Sequence, residues 1–272
     1  MMPIAQSAFT PTSARLSLAV VLALLHSHGF GEPPGPEPSG IPQITATFSI
    51  VAADPETGVC GAAVASKYPA VGEVVPFVRA GVGAFCTQHW HNPDWGPRAL
   101  DLLQQGNTPE EVFATLLDGD PNREKRQLGI IDIQGRALSR NPAQADPSGI
   151  YWAAMTGRYY ACQGNTLVGR EVIVAMATAY EETKGSLADR LMASLVAGDR
   201  AGGDHRGRLA AGIRVAKKGV EGCWLELQVD DSDDAVAELA RKYGELEHAA
   251  KKHWPPEPPD ESGPVGTREA AP

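Results

Sequence analysis

The sequence predicts an α+β domain in which helices lie between and after antiparallel strand pairs. Two short apolar segments, Thr47–Ala53 and Val59–Ser66, flank the turn residues Asp54–Gly58 and therefore indicate a β-hairpin. Further along the chain, helical patterns alternate with more strand pairs. Pairs this close in sequence favour antiparallel sheets, and helices grouped between such pairs imply a layered α+β fold.

The remaining elements follow from turn residues and helix starts. Thr108 precedes Pro109 and two acidic residues, which is typical of a capped helix N-terminus. The predicted helices are Pro97–Gln105, Thr108–Leu117, Val168–Thr183, Ser186–Ala197 and Asp234–Ala250, and the further strands are Gly81–Thr87, Leu128–Ile133, Arg136–Ser139, Leu209–Ala216 and Cys223–Val229.

Composition, charge and missing motifs argue against several classes of function. With 43% hydrophobic residues in 272, the chain can bury a core, and its formal net charge of −9 argues against nucleic-acid binding, which needs a basic surface. The sequence has no Gly-x-Ser-x-Gly motif and no phosphate-binding fingerprint. It therefore predicts no nucleic-acid partner, no cofactor and no serine hydrolase of the α/β type.

The N-terminal residues resemble a secretory signal. Arg15 precedes the uncharged segment Leu16–Leu25, which is shorter than the roughly 20 residues that a membrane-spanning helix needs. Small residues at Ser27 and Gly29 suit a cleavage site. We expect residues 1–29 to be a signal peptide, no stable membrane span, and export to the periplasm or beyond. A start codon assigned too far upstream on a cytoplasmic protein is the alternative.

Proline marks both ends of the folded part. The segment Gly31–Gly40 and the segment Pro255–Pro272 are rich in proline, which favours extended, solvated chain. The sequence therefore predicts a linker over residues 30–46, a folded domain over 47–250 and a disordered tail over 251–272.

Cysteine and histidine give weak signals. The four cysteines are far apart without a Cys-x-x-Cys pair, so a structural zinc site is unsupported, and both free thiols and disulfides remain open. On a strand, His89 and His91 would point to the same face and could ligate a metal, and Asp94 could add an oxygen, but no further ligand has an obvious place and no metal is predicted. The four cysteines are Cys60, Cys86, Cys162 and Cys223.

Side-chain amides mark one more candidate site. Gln163 and Asn165 stand at a predicted junction between a strand and a helix, where they could hold a polar ligand beside free helix N–H groups. An ordinary helix cap by Asn165 explains the same pattern equally well.

Seven ordered segments resemble the family DUF1028. They are TFSIVAADPETGVCGAAVASKYPAVG (Thr47–Gly72), RAGVGAFCTQ (Arg79–Gln88), NPDWGPRALDLL (Asn92–Leu103), REKRQLGIID (Arg123–Asp132), YACQGNTLVG (Tyr160–Gly169), AGGDHRGR (Ala201–Arg208) and LQVDDSDDAVAEL (Leu227–Leu239). That family is similar in fold to the N-terminal nucleophile (Ntn) hydrolases. The resemblance implies a four-layer αββα sandwich of two antiparallel sheets, and hydrolysis of an amide bond in a small or peptide-like substrate.

The same resemblance implies site residues. Thr47 takes the nucleophile position, and Arg79 or, alternatively, Lys67 would be the basic residue near it. A free α-amine, with a pKa of about 7.7–8.0, can accept the hydroxyl proton, and a neighbouring cation would lower that pKa further. Catalysis of this kind requires cleavage of the Ala46–Thr47 bond.

Two other functions stay open at this stage. One is a non-catalytic Ntn-like domain that binds a small polar ligand, and the other is an assembly or scaffold module. Whichever function applies, association into a homo-oligomer is also left open. The predicted ligand-binding residues are Gln88, Asn92, Gln163, Asn165, Asp204 and Arg206.

Overall fold

A computed structural model describes residues 47–142 and 151–250, with side chains up to residue 246. All of them belong to one compact unit. The predicted signal peptide (1–29), linker (30–46) and C-terminal tail (251–272) lie outside the described residues, so these three predictions stay predictions.

Ten strands and six helices make up the described chain. The strands are β1 (Thr47–Asp54), β2 (Val59–Ser66), β3 (Pro76–Arg79), β4 (Gly83–Gln88), β5 (Gln127–Asp132), β6 (Ala137–Arg140), β7 (Tyr151–Gly157), β8 (Tyr160–Leu167), β9 (Ala210–Ala216) and β10 (Leu225–Val229). The helices are α1 (Val71–Val74), α2 (Trp95–Gln104), α3 (Pro109–Leu117), α4 (Glu171–Glu182), α5 (Leu187–Arg200) and α6 (Ala235–Ala250).

The strands form two antiparallel sheets. A six-stranded sheet has the order β10-β9-β2-β1-β8-β7, and a four-stranded sheet has the order β3-β4-β5-β6. The predicted β1–β2 hairpin is confirmed, with Thr47 opposite Ser66 at its open end. The predicted cap of α3 is also confirmed, because the Thr108 side chain accepts a hydrogen bond from the Glu111 N–H.

Three hydrophobic clusters hold four layers together. The first lies between the six-stranded sheet and helices α4, α5 and α6 and contains Phe48 and Tyr180. The second lies between the two sheets, and the third joins the four-stranded sheet to α2 and α3 through side chains such as Phe85. The α+β class and the αββα layering expected from the sequence are therefore confirmed.

The layer between the sheets changes character along its length. On β1, Val51 and Ala53 belong to the apolar cluster between the sheets, whereas Thr47 and Ser49 share the same face of the strand because side chains alternate. All four are buried. The gap between the sheets is therefore apolar at one end and polar at the other.

The sequence did not predict α1, β3 and β7, and it indicated β8 only as a strand without bounds before a helix. Strand β3 has four residues, starts with a proline and lies at a sheet edge, where the missing N–H costs no ladder hydrogen bond. Gln163–Leu167 do precede a helix, as predicted, but they are the end of β8, and α4 begins only at Glu171. Asn165 is therefore not a helix cap.

All four cysteines are free thiols, so the disulfide alternative is not supported. Cys60, Cys86 and Cys162 are buried, and Cys223 is partly exposed. Burial raises the pKa of Cys60 to about 11 and that of Cys86 to about 12. In the described part of the chain, no helix is long and apolar enough to cross a bilayer.

Burial predicts the thiol reactivity of the native protein. A small disulfide reagent at pH 8 should modify Cys223 alone, whereas all four thiols should react after unfolding in guanidinium, because only the thiolate attacks and the buried thiols are protonated and covered. Spectrophotometric titration measures both stoichiometries. The Cys223→Ser variant should show no rapid reaction, and rapid reaction of several native thiols would contradict the buried positions.

Candidate active site

Polar strand ends meet at one edge of the two sheets. Thr47 begins β1, Ser66 ends β2 and Gln88 ends β4. Gln127 begins β5 directly opposite Gln88, and Asn165 lies near the end of β8. All five are fully buried. We call this region the Thr47 end of the sandwich.

Thr47 is held at its hydroxyl and at its carbonyl. Thr47 Oγ1 lies 3.1 Å from Ser66 Oγ on the neighbouring strand. The Gln88 side-chain amide crosses from the other sheet and donates to the Thr47 carbonyl oxygen at 3.3 Å. Both contacts fix the first residue of β1 relative to its surroundings, which is the position that the family resemblance gives to a nucleophile.

An amide network continues from Gln88 into the gap between the sheets. Ser49 donates to Gln88 Oε1 at 2.6 Å, and Gln163 Nε2 donates to Ser49 Oγ at 2.6 Å. Gln88 Nε2 also donates to Gln127 Oε1 at 2.7 Å, and Asn165 Nδ2 donates to the same oxygen at 2.8 Å. The structure therefore brings three predicted ligand-binding residues together, but it bonds them to protein groups.

Glycine at position 129 makes room for this network. A Cβ atom at Gly129 would lie 2.2 Å from Gln163 Oε1, far inside van der Waals contact. Gly129 is buried on β5, next to the network on the face that looks toward the other sheet. The strand therefore needs glycine here because a buried glutamine side chain from the facing sheet occupies the Cβ position.

Gly129→Ala should destabilise the protein by about 1–3 kcal/mol, the usual cost of overpacking a buried site, because Gln163 must leave its hydrogen bonds. Urea unfolding followed by circular dichroism measures the change. Gly244→Ala is the matched control, since nothing lies within 4 Å of a Cβ there. It should be neutral or stabilising in helix α6, and equal effects of the two changes would contradict the packing argument.

Strained backbone concentrates at the same end. Four non-glycine residues with left-handed φ follow or end strands there, with Ala70 at 55°, His89 at 51°, Thr166 at 54° and Asp231 at 55°. Thr166 is the most costly of them, because a β-branched residue rarely adopts this conformation. Strain of this kind persists where the surrounding structure enforces it, and it is often found at functional sites.

Asp204 and Arg206 lie beside Thr166. Asp204 forms an isolated bridge to Leu167, the last residue of β8, and Arg206 Nη2 donates to Thr166 Oγ1 at 3.3 Å. Asp204 Oδ1 accepts from the Arg206 N–H at 2.9 Å, whereas no described residue is a partner of the buried Oδ2. Burial raises the pKa of Asp204 above its ordinary value, against the opposing effect of Arg206.

The raised pKa of Asp204 predicts a pH dependence of stability. The folded carboxyl holds its proton more tightly than the unfolded one, whose pKa is about 3.9, so this group's contribution falls as the pH rises from about 4 through the folded pKa. The unfolding free energy of wild type relative to Asp204→Asn should therefore be lower at pH 7 than at pH 4. Urea titrations at the two pH values measure it.

Asp120→Asn is a control of opposite sign. Burial opposes ionisation of Asp120, but hydrogen bonds from Arg126 and from the Asn122 N–H lower its pKa overall. Its contribution is therefore present above about pH 4 and is lost as the pH falls through the folded pKa. If both variants changed in the same direction, the assignment of Asp204 would be wrong.

Of the two predicted basic neighbours, Arg79 lies far from Thr47, whereas Lys67 lies at the Thr47 end of the sandwich. Arg79 pairs with Gly83 at the start of β4, about 17 Å along the strand from Gln88. Its guanidinium donates to Asp101 at 2.8 Å and to Gln104. Lys67 directly follows Ser66 but is exposed. The expected role of Arg79 beside Thr47 is therefore not supported.

Asn92 and the two histidines have local structural contacts. The Asn92 side chain accepts a hydrogen bond from the Asp94 N–H in the turn before α2. His89 Nδ1 lies 2.6 Å from the Lys125 carbonyl oxygen, and His91 is buried. Both histidines follow the end of β4, so they do not share a strand face. Within residues 47–142 and 151–246, no three His, Cys, Asp or Glu side chains are grouped as metal ligands would be.

Comparison with known families decides the affiliation of the chain. The model of DUF1028, a family of unknown function, matches residues 47–239. The chain belongs to DUF1028. The match begins at Thr47 and covers the whole sandwich up to helix α6.

Three solved structures are similar to this chain to different degrees. A crystal structure of a DUF1028 protein from Silicibacter pomeroyi is 28% identical, with a TM-score of 0.66, and the match covers 74% of this chain and 88% of that one. Anbu (ancestral β-subunit) from Yersinia bercovieri is 11% identical over 76% of this chain and 98% of that one, with a TM-score of 0.35. Anbu from Pseudomonas aeruginosa, described as a helical assembly, is 12% identical over 80% and 100%, also with a TM-score of 0.35. Curated proteins give no match.

Ser66 and Gln127 belong to the site, but the sequence did not predict either of them as a site residue. Ser66 was included only as the last residue of a predicted strand, and Gln127 lay just outside one. The alternation of Cys60, Ala62, Val64 and Ser66 could have placed Ser66 on the inner face with Thr47. No comparable signal in the sequence marks Gln127.

Proposed function

We propose that this DUF1028 protein is an Ntn-type amidohydrolase that cleaves the amide bond of a small or peptide-like substrate. In this proposal, Thr47 is the nucleophile and its own α-amine is the base. The observation that carries it is the placement of Thr47, which begins a central strand with its hydroxyl 3.1 Å from Ser66 Oγ. A free amine there would lie beside the hydroxyl on the same residue.

Burial of Thr47 would lower the pKa of its α-amine, as a neighbouring cation would in the mechanism expected from the sequence. Thr47 is fully buried, its hydroxyl contacts the uncharged hydroxyl of Ser66, and its carbonyl contacts the uncharged amide of Gln88. Desolvation disfavours the protonated amine and lowers its pKa, which increases the fraction of free base at neutral pH. The proposed mechanism therefore does not depend on Arg79 or Lys67.

The binding-only alternative fits the geometry less well. Gln88, Gln163 and Asn165 are fully buried, and their amide groups bond to one another or to other protein groups. A ligand would have to break these bonds before it could use them, at the cost of desolvated, unpaired amides. These side chains support the frame around Thr47 better than they support a ligand.

Maturation is part of the proposal. The Ala46–Thr47 bond has to be cut, by the protein itself or by a peptidase, since a peptide nitrogen cannot act as the base. We further propose that the chain is exported, because residues 1–29 have the pattern of a secretory signal.

Thr47→Ala should abolish hydrolysis and leave the fold intact, because it removes one hydroxyl from the end of β1. Turnover is measured against a panel of small amides and acylated amino acids by released amine, with circular dichroism and thermal unfolding as the check on folding. Mass spectrometry of the active wild-type preparation should find Thr47 as the first residue.

Thr47→Ser is the matched control, since it keeps a hydroxyl beside the amine and should retain a measurable part of the activity. An active preparation in which residue 46 is still attached to Thr47 would rule out the amine as base. Full activity of Thr47→Ala would rule out the nucleophile.

A further inference from the structure

Ser66 touches the proposed nucleophilic atom. Its hydroxyl oxygen lies 3.1 Å from Thr47 Oγ1, between residues that are directly paired on adjacent strands. Ser66 is fully buried, and its backbone carbonyl accepts the Leu209 N–H at 2.9 Å. Neighbouring segments on both sides therefore hold the backbone of Ser66, and its hydroxyl lies in contact with the hydroxyl of Thr47.

A backbone donor also contacts the Ser66 hydroxyl. The Tyr68 N–H donates to Ser66 Oγ at 3.2 Å, so the serine oxygen already accepts one hydrogen bond. A serine hydroxyl has one proton and two lone pairs, and Tyr68 engages one of these lone pairs. Either hydroxyl of the Thr47–Ser66 pair can donate at 3.1 Å, and the order Tyr68 N–H to Ser66 to Thr47 is compatible with both contacts.

We infer that Ser66 is a second catalytic hydroxyl of the site, which donates to Thr47 Oγ1. This inference rests on the proposed function. Once Ser66 donates to Oγ1, the Thr47 proton is directed away from Ser66 and is available to the α-amine. As that proton leaves, negative charge grows on Oγ1, and the Ser66 hydroxyl stabilises it.

The acylating agent oxetan-2-one tests this step without knowledge of the substrate. Thr47 Oγ1 forms an ester bond to the lactone carbonyl carbon, and the ring C–O bond breaks. The hydroxyl proton passes through the α-amine to the released ring oxygen, which becomes an alcohol. Peptide mass spectrometry locates the adduct, and its release by hydroxylamine identifies the ester as opposed to acylation of the amine.

The rate of ester formation should fall about 100–1,000-fold in Ser66→Ala, the range for removal of one hydrogen-bond donor to a developing oxyanion. Ser66→Thr keeps the hydroxyl and should recover most of the rate. Ser194→Ala is the control, because Ser194 is just as buried but lies on helix α5, on the helix side of the six-stranded sheet. It should react like wild type.

The outcomes of this experiment distinguish the inferred role of Ser66 from the proposed role of Thr47 as the nucleophile. If wild type is labelled at Thr47 and Ser66→Ala reacts equally fast, Ser66 has no catalytic role and the proposed function stands. A loss of rate in Ser66→Ala that Ser66→Thr does not restore would indicate a packing effect and overturn the inference. If mature wild type forms no ester at Thr47, both the inference and the proposed function are wrong. Thermal unfolding midpoints of all variants identify any that fail to fold.

Discussion

The hydrogen bonds that cross between the two sheets at the Thr47 end are the constraint on which the site depends. Each buried amide there needs a partner, because an unpaired one costs about 1–3 kcal/mol. Gln88 meets this need by bonding to Gln127 on its own sheet and to Thr47 on the other. The requirement fixes how the sheets are placed against each other, and with them the start of β1.

The need to pair every buried amide also explains why the layer between the sheets changes from apolar to polar along its length. Small apolar side chains such as Val51 and Ala84 allow the sheets to approach closely at one end. At the other end, long amide side chains such as Gln163 fill the gap. Gly129 has no side chain, which leaves room for Gln163. A polar and fully buried end is a costly arrangement for stability alone, which is why it stands out as a candidate active site.

A strained backbone and a carboxyl oxygen of Asp204 with no partner among residues 47–142 and 151–246 lie close to this end as well. Thr166 adopts a left-handed conformation between Asn165 and the bridge of Leu167 to Asp204. Stable folds generally avoid both a strained threonine and a buried carboxyl oxygen without a partner. Their coincidence with the buried hydroxyl pair of Thr47 and Ser66 makes this edge the candidate functional site.

The sequence by itself determined the local features. The β1–β2 hairpin and the capped helix α3 follow from turn and capping residues that act within a few positions, so both could be predicted. Only the tertiary structure decided the site. The family resemblance placed Arg79 beside Thr47, but the direction of β3 and β4 carries it to the opposite end of the sheet. The alternation along β2 could have placed Ser66 on the inner face, but only the strand pairing across 19 residues brings its hydroxyl to that of Thr47.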